Sequence, residues 1–91
     1  MIEYLLKIGN SYFYWYRGFV RFTKDISEAE VFDEMSDIED LLSLEQYEGA
    51  QEEIKEKMEI CDSPIEIVTI IQGLKWEHIT TTKIPLKFYL T

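Results

Sequence analysis

Residues 2 to 8 alternate, placing Ile2, Tyr4, Leu6 and Ile8 on one face with the two-residue period of a β-strand. The Gly9-Asn10-Ser11 cluster then turns the chain into a second β-rich run, Tyr12 to Tyr16, so the two runs predict a hairpin. Arg17-Gly18 offers a further turn or bulge before Phe19 to Phe22, whose β propensity continues the same sheet. Ser27 is placed to cap a single helical turn with Glu30 completing a capping box, and Val31-Phe32 follows as a short extended piece.

The period then changes. Two more capping boxes, Ser36 with Glu39 and Ser43 with Gln46, predict either one long helix or two helices broken near residue 43. At 100° per residue, Leu44, Tyr47, Ala50, Ile54, Met58 and Cys61 share an arc of about 120°, which must face a core. Glu45, Glu48, Glu52, Glu56 and Glu59 share an arc of about 80° on the far side. Ser63-Pro64 ends the helix, and the β-branched run Ile65 to Ile71 predicts a central strand. After the turn at Gln72-Gly73, Leu74 to Thr80 and Ile84 to Leu90 are the last strand candidates, with Pro85 assigning the final one to an edge. The order ββ(β)-α-βββ predicts a single α+β domain over residues 1–91: an antiparallel sheet of about four to five strands with one or two helices packed on one face.

Charge changes the picture more than size does. The chain carries 18 acids against 9 bases, for a net charge of -9. Fifteen of those acids lie between Asp25 and Asp62, where the only bases are Lys55 and Lys57, so the remainder is net positive. An acidic balance argues against a nucleic-acid or anionic-membrane binder and for a basic partner or simple solubility. No apolar run is long enough to span a bilayer, and a lone Cys61 cannot close an intrachain disulfide. The start of the chain has neither a basic n-region nor a long apolar h-region, which predicts a cytoplasmic location.

The residues do not assemble a reactive centre. His78 is the sole histidine, so any nucleophile–base arrangement would rest on it alone and no zinc site can be built around it, and Cys61 at a helix end has the character of a small core residue. The four glycines are scattered singly, which removes the P-loop and the dinucleotide fingerprint, and the calcium-loop pattern is missing. The expectation is a chain that is not an enzyme, with no catalytic residues, no cofactor and no metal.

Two features carry binding instead. Glu45 to Glu59 would extend about 21 Å along a helix, one charge per roughly 5 Å. That approaches two thirds of the phosphate density of a DNA strand, before Asp37 and Asp40 are added. The second feature is the aromatic run Tyr12, Tyr14, Trp15 and Tyr16 with Phe13 among them, beside Arg17 and Arg21, a composition typical of interface hot spots. Because side chains alternate along a strand and one helical layer covers one face, some of these rings should stay exposed. Rings interleaved with arginine also suit stacked single-stranded bases, although the net charge opposes direct nucleic-acid binding and leaves it a minor alternative.

The stretch from Tyr4 to Phe32 resembles small uncharacterised phage proteins of Gram-positive hosts. In that pattern a hairpin is followed by a threonine-aspartate turn, an alanine-containing helical turn and a phenylalanine; Thr23, Asp25, Ala29 and Phe32 match it, and the strand Ile65 to Ile70 fits it too. The resemblance covers about a third of the chain, and the long acidic helix departs from the shortest members. It implies a phage origin, action in the host cell cytoplasm and an anti-CRISPR-like role, since small acidic proteins of that origin often inhibit host nucleic-acid enzymes. The expected partner is a host nucleic-acid-binding protein such as a Cas nuclease, which holds nucleic acid in a positive channel. The other expectation is a structural or regulatory module that self-associates as a homodimer through the aromatic strand.

Overall fold

The computed structural model describes residues 2–71 and the backbone of 78–83. Five strands, β1 (Ile2–Ile8), β2 (Ser11–Tyr16), β3 (Phe19–Thr23), β4 (Ile65–Ile71) and β5 (His78–Lys83), form one antiparallel sheet in the order β3-β2-β1-β4-β5. Two helices, α1 (Met35–Ser43) and α2 (Glu48–Cys61), lie between β3 and β4 in sequence. The class is α+β. Ile65 to Ile71 is a central strand, paired to β1 from Ile8↔Ile65 to Ile2↔Ile71 and to β5 from Glu66↔Lys83 to Ile71↔His78.

The alternation decides which side chains meet the helices. Leu6, Ile8, Phe13, Val20, Ile65 and Ile67 pack with Ile38, Leu41, Leu42, Ala50 and Ile54 in the main core. The opposite face carries a smaller cluster of Leu5, Ala29, Val68 and Ile70, with Tyr12 against it. Between β2 and β3 the chain reverses through Arg17 and Gly18 at φ 52° and 81°. Two successive positive-φ residues match the right-handed twist of a hairpin, and glycine takes the second without steric cost.

The β1–β2 hairpin pairs only at its turn, through Lys7↔Tyr12 and Ile8↔Ser11. Beyond that point the segment Glu30–Phe32 stands between the two strands: Tyr4 and Phe32 exchange both backbone hydrogen bonds at 2.9 Å, and the Glu30 N–H donates to the Phe13 carbonyl at 2.9 Å. The Glu30 carboxylate accepts from the Trp15 N–H at 3.3 Å. A side chain thus takes the place of a strand partner, so the parted strands keep their backbone groups satisfied. The extended piece at Val31-Phe32 is present, in a role that only this long-range pairing defines.

The helical region is two helices, separated by a 3-10 turn at Glu45–Tyr47. None of the three expected serine caps forms. Asp25 caps the first turn, accepting from Ser27; Glu34 precedes α1 without a side-chain cap; and Ser43 is the last residue of α1, its hydroxyl donating to the Glu39 carbonyl at 2.6 Å. Ser43 lies at the C-terminal end of α1, directly before the break, where the free groups are carbonyls and a donor rather than an acceptor is useful. α2 ends at Asp62, which adopts the left-handed conformation (φ 49°) while the Ser63 N–H reaches back to the Met58 carbonyl at 3.1 Å. This is the Schellman arrangement, with aspartate where glycine is commoner.

Gln51 fastens the helices together. It is fully buried, and its amide donates to the carbonyls of Leu41 (3.0 Å) and Leu44 (2.8 Å), while its own Oε1 finds no partner. The Leu44 carbonyl also receives the Tyr47 N–H, but Leu41 lies in the last turn of α1, where carbonyls lose their helical donors. Gln51→Met keeps the volume and removes the donors. It should lower stability by about 1 to 3 kcal/mol, the cost of a stranded buried acceptor, read as a fall in the urea midpoint.

Around the first turn, the Ser27 hydroxyl (2.7 Å) and backbone N–H (2.9 Å) both donate to Asp25, and these bonds, hydroxyl first, hold its carboxyl below the ordinary aspartate range. A carboxyl depressed by folding adds stability above its unfolded pKa and loses it as pH falls through the folded value. Carboxyl NMR titration should therefore give Asp25 a midpoint below that of a free aspartate, and Ser27→Ala should move it back up.

Of the C-terminal expectations, the strand predicted over Leu74 to Thr80 is seen from His78 and runs on to Lys83, because Thr81 and Thr82 continue the pairing opposite Val68 and Ile67. Residues 74–77 and the candidate strand Ile84 to Leu90 lie outside the described residues.

Candidate functional site

Ridge positions on α2 set the acidic surface. Glu48, Glu52, Glu56 and Glu59 are all exposed, on the side turned away from the buried Ala50 and Ile54. Glu45 is exposed as well, but it belongs to the 3-10 turn, so the continuous helical row runs only from Glu48 to Glu59, about 16 Å, rather than the full length expected from Glu45. Leu44, expected on the apolar stripe, is 39% exposed for the same reason: the helix breaks beside it. Lys55 lies about 20° around the helix from Glu48 and so tempers the row at its border. Lys57 points the other way, its Nζ 5.3 Å from the centre of the Phe22 ring.

The aromatic run is divided by the sheet. Phe13 and Trp15 face the helices, with ring centres 5.0 Å apart and an edge-on angle of 82°. Tyr12, Tyr14 and Tyr16 point to the far face, where Tyr16 is 50% exposed and the other two are half-buried. Of the four rings expected to meet a partner, Tyr12, Tyr14, Trp15 and Tyr16, only Trp15 therefore shares a side with the acidic helices.

Trp15 and Tyr47 line two clefts at once. The wider, about 780 Å³, opens between the β2–β3 turn and the start of α2 and is bordered by Phe19, Glu52 and Glu53. The narrower, about 300 Å³, lies towards α1 and is bordered by Glu30, Asp33, Asp37 and Asp40. Acids from both helices thus flank one half-buried indole. Glu56 and Glu59, further along α2, border neither cleft.

No family model, curated protein or solved structure matches this chain. What the site can do follows from its own geometry. Carboxylates around a tryptophan and a tyrosine favour a cation that is partly dehydrated, since the ring faces attract it and the acids neutralise it. Among the described residues, no three of His, Cys, Asp and Glu group to hold a metal ion, and no helix is long and apolar enough to cross a membrane.

Sequence reasoning named Trp15, Asp37, Asp40 and Glu52 and counted Glu53 with the acidic face, but it did not place Tyr47 and Glu30 beside them. Tyr47, expected on the apolar stripe, does pack against the main core, and from that half-buried position it also borders both clefts. No local signal marks Glu30, whose place depends on the parting of β1 and β2. His78 lies in β5, and its side chain lies outside the described residues.

Proposed function

We propose that this chain is an inhibitor that binds a basic, nucleic-acid-binding protein through its helical layer and competes there with the nucleic acid. The observation that carries it is the convergence on Trp15 of acids from both helices, Asp37 and Asp40 on one side and Glu52 and Glu53 on the other. A row of carboxylates alone steers a positive partner and accelerates its approach. An indole within that row adds a desolvated anchor, the kind of contact that carries most of the binding energy of an interface. Arginines that the partner uses for phosphates fit both parts, pairing with carboxylates and stacking on the ring. The resemblance to small phage proteins makes a CRISPR effector nuclease the first partner to test. The proposal assigns no catalytic residue and no cofactor.

The test is DNA cleavage by a Cas nuclease of a Gram-positive host, measured with increasing amounts of this protein at low and high salt. Inhibition that rising DNA concentration reverses and that weakens with salt is expected. Inhibition indifferent to both would reject competition at the nucleic-acid site, and an absence of inhibition would reject this partner class.

A further inference from the structure

The face of the sheet turned away from the helices carries a row of rings with cations over them. Strand alternation sends Tyr12, Tyr14 and Tyr16 there, and the β2–β3 register sets Thr23, Arg21 and Phe19 opposite them. Lys7 of β1 joins them opposite Tyr12. Cations lie over rings at three places on this face: Lys7 Nζ is 5.9 Å from the centre of Tyr12, Arg17 Cζ 5.4 Å from Tyr16, and Arg21 Cζ 5.7 Å from Phe19. Tyr16 and Phe19 are 50% and 62% exposed, so the row is open to a ligand. At its Tyr12 end it meets a cleft of about 610 Å³ lined by Lys7, Lys24 and Lys57 with the polar Asn10 and Ser11; among the described residues Glu66, in register with Lys7, is the one acid on its wall. Five of the chain's nine lysines and arginines therefore stand along this row or in the cleft that ends it.

We propose that this face binds single-stranded nucleic acid, with bases stacked on Tyr14, Tyr16 and Phe19 and phosphates held by Arg17, Arg21 and the lysines of the cleft. Alternate side chains of a strand are about 6.8 Å apart, twice the roughly 3.4 Å per nucleotide of a stacked strand. The rings therefore match an extended chain with its bases turned out. A duplex, whose bases are locked in their own stack, offers them nothing. Acids also stand on this side: the Glu28 carboxylate accepts from the Thr23 hydroxyl at 3.0 Å, opposite Tyr12, and Glu66 borders the cleft, so the open end at Tyr16, Phe19, Arg17 and Arg21 carries most of the contact. The outward glutamates of α2 stand about a helix diameter, roughly 10 Å, beyond the sheet. That exceeds the Debye length of about 8 Å at physiological ionic strength. The inference uses none of the residues of the Trp15 clefts except Phe19 at their margin, and it stands or falls separately from the inhibitor proposal.

Fluorescence anisotropy of labelled oligothymidylate, oligouridylate and a duplex of equal length, titrated with the full chain at low salt, is the experiment. Both single strands should bind, the tighter one identifying the natural ligand, and the duplex should bind at least about tenfold more weakly. Tyr16→Ala and Phe19→Ala, both at exposed positions, should each weaken single-strand binding by about fivefold or more. Arg17→Gln with Arg21→Gln should reduce the slope of log affinity against log salt by about 1.4, the value for two lost phosphate contacts on a single strand. Circular dichroism should show all these variants folded, and Glu48→Lys with Glu52→Lys and Glu56→Lys should retain the binding. Failure of the wild-type chain to bind either single strand would overturn the proposal, as would ring and arginine variants that bind like wild type. A concentration-dependent dimer abolished by Tyr16→Ala, without single-strand binding, would overturn it in favour of a second copy on this face.

Discussion

Phe13→Ala should lower the folding stability of the chain by about 3 to 5 kcal/mol while leaving it folded at room temperature in the absence of denaturant. Phe13 is inaccessible to solvent at the middle of the sheet, with the rings of Trp15, Phe32 and Phe22 at 5.0, 6.1 and 6.4 Å. Truncating a buried phenylalanine costs about 3 to 5 kcal/mol, because the transfer energy is lost and a cavity remains. A domain of this length has a total stability of roughly 5 to 14 kcal/mol, so the substitution removes a large share of it. The site makes collapse around the cavity difficult. Phe32 reaches Phe13 from the segment held between β1 and β2, and Trp15 rests edge-on against it, so one ring supports three separate pieces of backbone. A much lower urea midpoint would show this; Phe13→Leu, which keeps most of the volume, should cost only about 1 to 2 kcal/mol. A Phe13→Ala protein that melts within a few degrees of wild type would mean that the core does not depend on this ring.

Reversing Glu48, Glu52 and Glu56 to lysine should weaken capture of a basic partner by about a hundredfold or more at low salt, with the fold intact. Each reversal changes the local charge by two, and an exposed ion pair contributes up to about 1 kcal/mol. Losing three attractions and gaining three repulsions therefore amounts to roughly 3 to 6 kcal/mol, or two to four powers of ten in affinity. The effect should shrink as salt rises, since these are exposed charges. Stability should move little. All three positions point to solvent, and only Glu48, in the first turn of α2, interacts favourably with the helix dipole, by about 0.3 to 1 kcal/mol. Trp15→Ala is the complementary variant, because its loss of affinity should persist at high salt. Unchanged inhibition by the triple reversal would remove the acidic row, Glu52 of the wider cleft included, from the interface and leave Trp15 with Asp37, Asp40 and Glu53.

The two charge patterns explain why bulk composition predicted one face and obscured the other. A net charge of -9 averages an acidic helical layer with a ring-lined face that collects lysine and arginine. The sheet keeps the two apart, so a partner approaching one side meets a field that the sum does not describe. The division of Tyr12, Tyr14 and Tyr16 from Trp15 is legible in the two-residue period of a strand. Which of the two sets lies under the helices is not, because both faces of β2 are aromatic and the pattern is nearly symmetric.

Local periodicity determined the class of the fold, the strands from Ile2 through Phe22 and from Ile65 to Ile71, and the buried Ala50 and Ile54 side of α2. These follow from repeats of two and 3.6 residues, which any single segment carries within itself. Tertiary structure alone decided the placement of Glu30–Phe32 between β1 and β2, the burial of Gln51 against the end of α1, and the meeting of Asp37, Asp40, Glu52 and Glu53 around Trp15. Each of those depends on backbone groups or rings far apart in sequence satisfying one another. A polar residue such as Gln51 or Glu30 gives no sign of its place until the partner it completes has been folded beside it.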